Sequence, residues 1–384
     1  MAKIIGVIAA CICFSFILPE AINLKENCIL NAQAIDPFIN KLKRLDSSEQ
    51  EKVAILHIGD SHIQADILTG RVRTLFQERF GDAGRGFVFP YRIANTMGAR
   101  DVKFKYSGTW QSENVMKRQN HADIGASGYR VMASPNCNIS LAVPKDEIRD
   151  QTFNKITLFT SVSRFMPHEV EGDFQFSMEN GFPVFTFDQY QTSLSLNIVN
   201  SDSQANESEL LGMILENGCA GVLYHAMGVN GSSTLQYSKA ALDTQIRCLN
   251  PDLVILSFGT NDCYVPSSSF CAACVKDRYK KIIARIRSAS PQSSILITAP
   301  SDHYYKRKYS NPNLVKLRSM LDELIYEENL AYWDLYEIMG GRSSMRAWYN
   351  SGLASSDLVH FTKEGYKLQG DLLYSALKAE MTTE

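Results

Sequence analysis

The spacing of hydrophobic and polar positions changes its period twice along the chain. From about Glu51 to Arg100 it reads strand, tight turn, helix. Val53 to Ile58 is an apolar run broken only by His57, as expected for a strand buried on both faces. Gly59-Asp60-Ser61 forms the turn, and Ile67, Leu68, Val72, Leu75, Phe76 and Phe80 recur at helical spacing until Gly81 ends the helix. From about Asp101 to Asn217 short alternating segments take over: Val102 to Tyr106, Asn138 to Val143, Lys155 to Ser161, Asp173 to Met178, Val184 to Phe187 and Ser193 to Ile198. Turn residues separate them, among them Glu179-Asn180-Gly181. Regularly spaced short strands predict an all-β sandwich or jelly roll.

Strand–helix alternation returns at Gly221. The pattern predicts strands over Gly221 to Met227, Leu253 to Phe258, Ile295 to Thr298 and Ala331 to Leu335. Helices are predicted over Leu235 to Leu249, Val275 to Ala289, Leu314 to Glu328 and Lys363 to Ala379. Such repetition argues for an α/β domain, a parallel sheet with helices on both faces. Residues 35–100 and 218–384 are thus read as two parts of one α/β domain, interrupted by a β module over 101–217.

The N-terminus alters where the protein is expected to work. Lys3 precedes an uncharged apolar run from Ile4 to Leu18, and Pro19-Glu20-Ala21 offers a cleavage site, so residues 1–21 read as a signal peptide. The run falls short of the ~20 residues of a confident span, and no stable membrane span is expected. Ile8-Ala9-Ala10-Cys11 resembles a lipobox, but the apolar stretch before Cys11 is very short, and cleavage and release are expected in its place. The protein is therefore predicted to be exported, periplasmic or secreted, with a lipid anchor or an uncleaved N-terminal anchor as the alternatives. Seven of the nine cysteines lie beyond this segment, an odd number that cannot all pair within one chain. Cys271-Ala272-Ala273-Cys274 has no second ligand pair at zinc-site spacing, so a local disulfide or buried thiols are expected rather than a metal. Lys plus Arg number 39 against 41 Asp plus Glu, which provides no electrostatic footprint for nucleic acid.

In open α/β sheets ligands bind beyond the carboxyl ends of the strands. Those ends carry Gly59-Asp60-Ser61-His62, Gly228-Val229-Asn230-Gly231 and Gly259-Thr260-Asn261-Asp262, and Asp357-Leu358-Val359-His360 precedes the closing helix. A serine hydroxyl needs a base to take its proton, and histidine titrates near the working pH. His360 can serve Ser61 in this way, while Asp357, three residues earlier, holds the other ring nitrogen.

In this order the four segments resemble the blocks of the SGNH (GDSL-type) hydrolases: a GDS serine, a glycine, a G-x-N-D asparagine and D-x-x-H. The resemblance covers the interrupted α/β domain and does not extend into the β module. It implies a three-layer αβα, flavodoxin-like domain with Ser61, His360 and Asp357 as catalytic residues. It also implies an oxyanion hole made by the Ser61 backbone N–H, the Gly231 backbone N–H and the Asn261 side-chain amide. Gly231 is preferred to Gly228 because the family glycine commonly precedes a small residue, here Ser232. Neither metal nor cofactor is implied.

Other histidines fit the base role less well. His57 and His225 fall inside strands, His121, His168 and His303 have no carboxylate at useful spacing, and His62 is expected at most to line the pocket. Asp60-Ser61-His62 also fits the D-x-H of metallophosphoesterases, but Gly-Thr-Asn-Asp stands where such enzymes show G-N-H-D or G-N-H-E. The G-x-S-x-G elbow of α/β-hydrolases fails because Ile63 occupies the second glycine position.

An SGNH domain with an inserted β module is similar to bacterial peptidoglycan O-acetylesterases. That resemblance implies an O-acetylated glycan substrate, with Trp110, Tyr129 and Phe165 as candidate sugar-stacking residues beside their commoner role in a sandwich core. An O-acyltransferase on an envelope glycan would share the same acyl-enzyme, and a carbohydrate-binding protein on a hydrolase scaffold would share the fold.

Overall fold

In the first strand, Lys52–Gly59, alternate side chains reach opposite layers of the molecule. Val53 and Ile55 pack with one set of helices, Leu56 and Ile58 with the other, and all four are fully buried. The computed structural model describes residues 19, 21–47, 51–117, 124–143, 151–160, 164–198 and 208–382. Apart from 19 and 21, the expected signal segment lies outside the described residues, as does His121. Among the described residues no helix is long and apolar enough to cross a membrane.

Five parallel strands form the central sheet in the order Gly221–Gly228, Lys52–Gly59, Leu253–Ser257, Ser294–Thr298 and Ala331–Trp333. This is the 2-1-3-4-5 order of flavodoxin-like sheets, which places a crevice between the first and third strands of the chain. Helices Asp36–Asp46, Leu68–Phe80 and Lys363–Ala379 contribute to the core on one face. Asp243–Leu249, Ala272–Ala289 and Asn313–Glu327 do so on the other. Each buried aliphatic side chain on these faces is worth about 1.5–3 kcal/mol.

Among the described residues the β module comprises three antiparallel sheets. Its largest runs Gly86–Val88, Gly212–Glu216, Phe153–Phe159, Phe182–Gln191 and Phe174–Glu179. Pairing of Gly86–Val88 with Gly212–Glu216 starts this sheet before position 101. Asn180 and Gly181 take φ of 50° and 81° in the hairpin joining Phe174–Glu179 to Phe182–Gln191, as a two-residue primed turn requires. The module's core is continuous with the face of the parallel sheet that carries Leu56 and Ile58.

In the β module the strands Trp110–Asn114, Tyr129–Ala133, Phe165–His168, Ser208–Leu210 and Gly212–Glu216 are additional to those expected, and the α/β domain departs from the sequence pattern as well. The helix expected over Leu235 to Leu249 is two, Thr234–Tyr237 and Asp243–Leu249. The break lets the Ala241 N–H reach Ile124 O of the β module at 3.2 Å and the Ala240 carbonyl accept from Arg285, contacts that an unbroken helix would forbid. The last strand stops at Trp333, because Asp334 caps the short helix Leu335–Ile338. Asp36–Asp46, not among the expected helices, buries Phe38, Ile39, Leu42 and Leu45.

Candidate active site

Three strand ends lie level at the crevice, with Gly59 in register with both Gly228 and Ser257. The chain turns sharply after Gly59. Asp60 accepts from the His62 N–H with its side chain (3.0 Å) and from the Ile63 and Gln64 N–H groups with its carbonyl, opening the short helix Ser61–Gln64. Ser61 thereby stands first in a helix, where an N–H has no intrahelical acceptor. Gly228 makes this possible: a Cβ there would lie 2.4 Å from Gln64 N and 2.7 Å from Asp60 O.

Ser61 Oγ lies 2.9 Å from His360 Nε2, and His360 Nδ1 lies 2.7 Å from Asp357 Oδ2. With Nδ1–H donating to the carboxylate, Nε2 carries a lone pair facing the serine hydroxyl, an arrangement able to take up its proton. The other carboxylate oxygen accepts from the Val359 and His360 N–H groups at 2.9 and 3.0 Å. These bonds, led by that from His360, hold Asp357 well below the ordinary carboxylate range. The hydrogen bond that His360 donates to Asp357 raises its pKa above the ordinary 6.5, against the opposing pull of burial. Leu358, between them, is buried and left-handed, φ 59°.

On the other side of Ser61 the turn 229–232 carries Gly231 at its exposed crest with φ 79°. The Asn261 side-chain amide donates to Ser232 O at 2.8 Å and faces Asp60 Oδ2 at 3.4 Å. Asp262 holds the following segment, accepting from Thr234 Oγ1 and N at 2.6 and 3.2 Å. The expected site residues thus come together in one crevice, with Asn261 spanning the glycine turn and the Asp60–Ser61 turn.

Residues 199–368 match the model of the GDSL-like Lipase/Acylhydrolase family. This chain carries an SGNH hydrolase domain. Such a domain marks an ester-hydrolysing enzyme. A solved structure of a peptidoglycan O-acetylesterase superposes with a TM-score of 0.75 at 24% identity, over 92% of this chain and 99% of that one, so the two share a fold that includes the β module. Lower similarity is found to a lipase/acylhydrolase from Enterococcus faecalis (22% identity, TM-score 0.31, 42% of this chain and 77% of that one). An acetyl xylan esterase, AlAXEase, gives 18%, 0.32, 41% and 81%. A search of curated protein sequences finds no match.

Gln64 is a residue of the SGNH crevice that the motifs do not single out. Buried three positions after Ser61, its Oε1 accepts from the Asn230 N–H (2.6 Å) and the Tyr129 hydroxyl (2.9 Å), and its Nε2 donates to Thr96 Oγ1 (2.8 Å). One side chain therefore fixes the glycine turn, the Ser61–Gln64 helix and the β module to one another. No sequence signal marks it, because its partners lie 32 to 166 positions away.

Burial sets the protonation of the groups beneath. Asp60 is pushed up to about 7 by desolvation, and His57, bonded to the Tyr224 hydroxyl and Ser257 Oγ, is pushed down to about 3. His62 packs its ring 5.1 Å from that of His360 and contacts the Tyr366 hydroxyl at 3.0 Å. Burial, then the neighbouring His360 charge, keep it well below its usual value. It is a neutral wall of the crevice. His225 and His303 are buried and similarly depressed, to about 3 and about 4. Tyr129 and Phe165 belong to the core, which leaves them no face for a sugar, and the half-buried Trp110 packs against that core. Cys271 and Cys274 form a disulfide at the start of Ala272–Ala289. Among the described residues no group of three His, Cys, Asp or Glu is placed to hold a metal ion.

Proposed function

We infer that the protein is an exported serine esterase that removes O-acetyl groups from a polysaccharide, with peptidoglycan the first substrate to test. The observation that carries the reading is the continuous relay from Ser61 through His360 to Asp357, at 2.9 and 2.7 Å. In this mechanism His360 Nε2 takes the Ser61 proton as Oγ attacks the acetyl carbonyl. The tetrahedral oxyanion is held by the Ser61 and Gly231 N–H groups and the Asn261 amide. His360 then protonates the departing sugar oxygen, leaving an acetyl-serine. Water, deprotonated by His360, attacks this ester and releases acetate, and the proton returns to Ser61. The carbonyl of Ser232 holds Asn261 in place, so the donor is oriented before substrate arrives.

The peptidoglycan assignment is supported by the shared two-part fold, and export by the N-terminal apolar run. Acetate release from O-acetylated peptidoglycan, xylan and sialoglycans tests the substrate. Ser61→Ala is expected to reduce turnover of p-nitrophenyl acetate by at least about 10³-fold while leaving the thermal unfolding midpoint near that of the wild type. Turnover retained in this variant refutes the mechanism.

A further inference from the structure

Between the strand Ser294–Thr298 and the helix Asn313–Glu327 the chain makes a small hairpin, Tyr304–Tyr305 paired with Tyr309–Ser310. It is tied to both walls of the crevice. The Tyr304 N–H donates to Leu358 O at 2.8 Å, within the loop that carries Asp357 and His360. Asn311, just past the hairpin, donates its side-chain amide to Cys263 O at 2.8 Å, in the helix that carries Asn261. The Lys306 N–H donates to the Tyr264 hydroxyl at 3.1 Å, which joins the two walls at the rim.

The rim formed in this way is aromatic and basic. The rings of Tyr264 and Tyr305 lie 5.2 Å apart, and those of Tyr305 and Tyr309 lie 6.1 Å apart. Tyr264 and Tyr309 are 38% and 51% exposed. The tip holds Lys306, Arg307 and Lys308 side by side, all exposed. Arg346, from the adjoining helix Ser344–Asn350, stacks over Tyr304 with its guanidinium carbon 5.3 Å from the ring centre. None of these four cations forms an ion pair among the described residues. In a chain of net charge −2, these four cations, two of them over tyrosine rings (Arg346 on Tyr304, and Lys306 Nζ 5.3 Å from the Tyr305 ring centre) and none with a carboxylate among the described residues, form a local excess of positive charge at the mouth of the crevice.

We propose that this hairpin is a glycan subsite that selects acidic polymers: tyrosine faces take a sugar ring next to the acetylated one, and Lys306, Arg307 and Lys308 take a carboxylate carried by that unit or its substituent. The proposal deepens the glycan reading above and rests on it. Ring faces offer apolar area and a negative quadrupole to the C–H side of a sugar. The cations supply sign selectivity and attract the polymer from a distance, an effect that salt screens. Because the hairpin is bonded to the loop of Asp357 and His360, a sugar seated there would be held in fixed relation to the Ser61 hydroxyl.

Two measurements test it. In the first, Lys306→Gln/Arg307→Gln/Lys308→Gln is compared with wild type on O-acetylated peptidoglycan fragments with free peptide carboxylates and on neutral O-acetylated xylo-oligosaccharides. The ratio of kcat/KM values, acidic over neutral, is expected to fall about tenfold at low salt, chiefly through KM. Tyr309→Ala is expected to raise KM on both substrates. In the second, calorimetry follows binding of the carboxylate-bearing fragments to Ser61→Ala protein with and without the triple change. The triple change is expected to weaken binding about tenfold, and raising salt from about 50 to about 500 mM to weaken only the parent markedly. Equal binding by both proteins, no binding by either, salt-independent binding or an unchanged kcat/KM ratio overturns the subsite. If binding behaves as expected but the enzyme with Ser61 intact releases no acetate from any glycan, the esterase reading falls and the subsite stands.

Discussion

The Asp357 carboxylate takes three hydrogen bonds, from His360 Nδ1 and from the N–H groups of Val359 and His360. It can do so because Leu358 occupies the left-handed region at φ 59°, a conformation that costs a bulky residue about 1–3 kcal/mol. Two bonds hold it there, from the Leu358 N–H to Ser355 O and from the Tyr304 N–H to Leu358 O. A pH prediction follows from the same contacts. His360 must be neutral to accept a proton, and Asp357 raises its pKa, so activity grows with pH through a value above 6.5. In Asp357→Asn the chief cause of that elevation is gone. The acid limb of kcat/KM for p-nitrophenyl acetate is expected to move to lower pH, while the plateau falls on the order of 10⁴-fold because the imidazole loses its enforced tautomer. A limb that stays put would remove Asp357 from this role.

At the scale of elements, the placement of Ser61 depends on how closely two strand ends approach. Gly228 closes the second strand against backbone atoms of the Ser61–Gln64 helix, so a methyl group there has no flexible side chain to displace. Gly228→Ala is expected to shift that helix and to lower kcat by about 10²-fold, the cost of misplacing a reacting group by roughly 1 Å. At Gly231 the nearest atom to an added Cβ is the Met116 methyl at 3.6 Å, and the N–H survives substitution. Gly231→Ala should therefore cost only about 1–2 kcal/mol of backbone strain and keep most activity. Comparing kcat and unfolding midpoints for the two alanine variants checks this. The sequence pattern identifies the strands and most helices around the site, because each buries a periodic apolar stripe of its own. It leaves out Asp36–Asp46, although Pro37 in its first turn and Phe38, Ile39, Leu42 and Leu45 carry the helical period.

Over the whole molecule, the hydrolase part and the β module are joined through charge as well as through a shared core. Arg73 and Arg85 meet Asp66 and Asp101: Arg73 lies 2.9 Å from Asp66 and 3.0 Å from Asp101, and Arg85 lies 2.7 Å from Asp101. Both arginines and Asp66 are at most 5% exposed at the side chain. Burial alone would raise Asp101, but Arg85 and Arg73 outweigh it and hold the carboxyl below its usual range. The four charges cancel, so removing one leaves a buried net charge. Arg85→Met is expected to cost about 3–5 kcal/mol and to lower the thermal unfolding midpoint accordingly. An unchanged midpoint would show the network to be dispensable.

What the chain determines by itself is local: the period of each apolar stripe, the capping and turn residues, and four short motifs whose chemistry is legible in their residue types. The tertiary structure decides which of these meet. Ser61 and His360 stand 299 positions apart, and Gln64 finds Asn230, Tyr129 and Thr96 only after the sheet and the β module have formed around it. The split of the expected 235–249 helix and the fastening of the Tyr304–Ser310 hairpin to the histidine loop belong to the same class. Periodicity arises from a segment folding against any apolar surface, whereas a hydrogen bond across the crevice depends on the relative placement of several such segments, which no local pattern encodes.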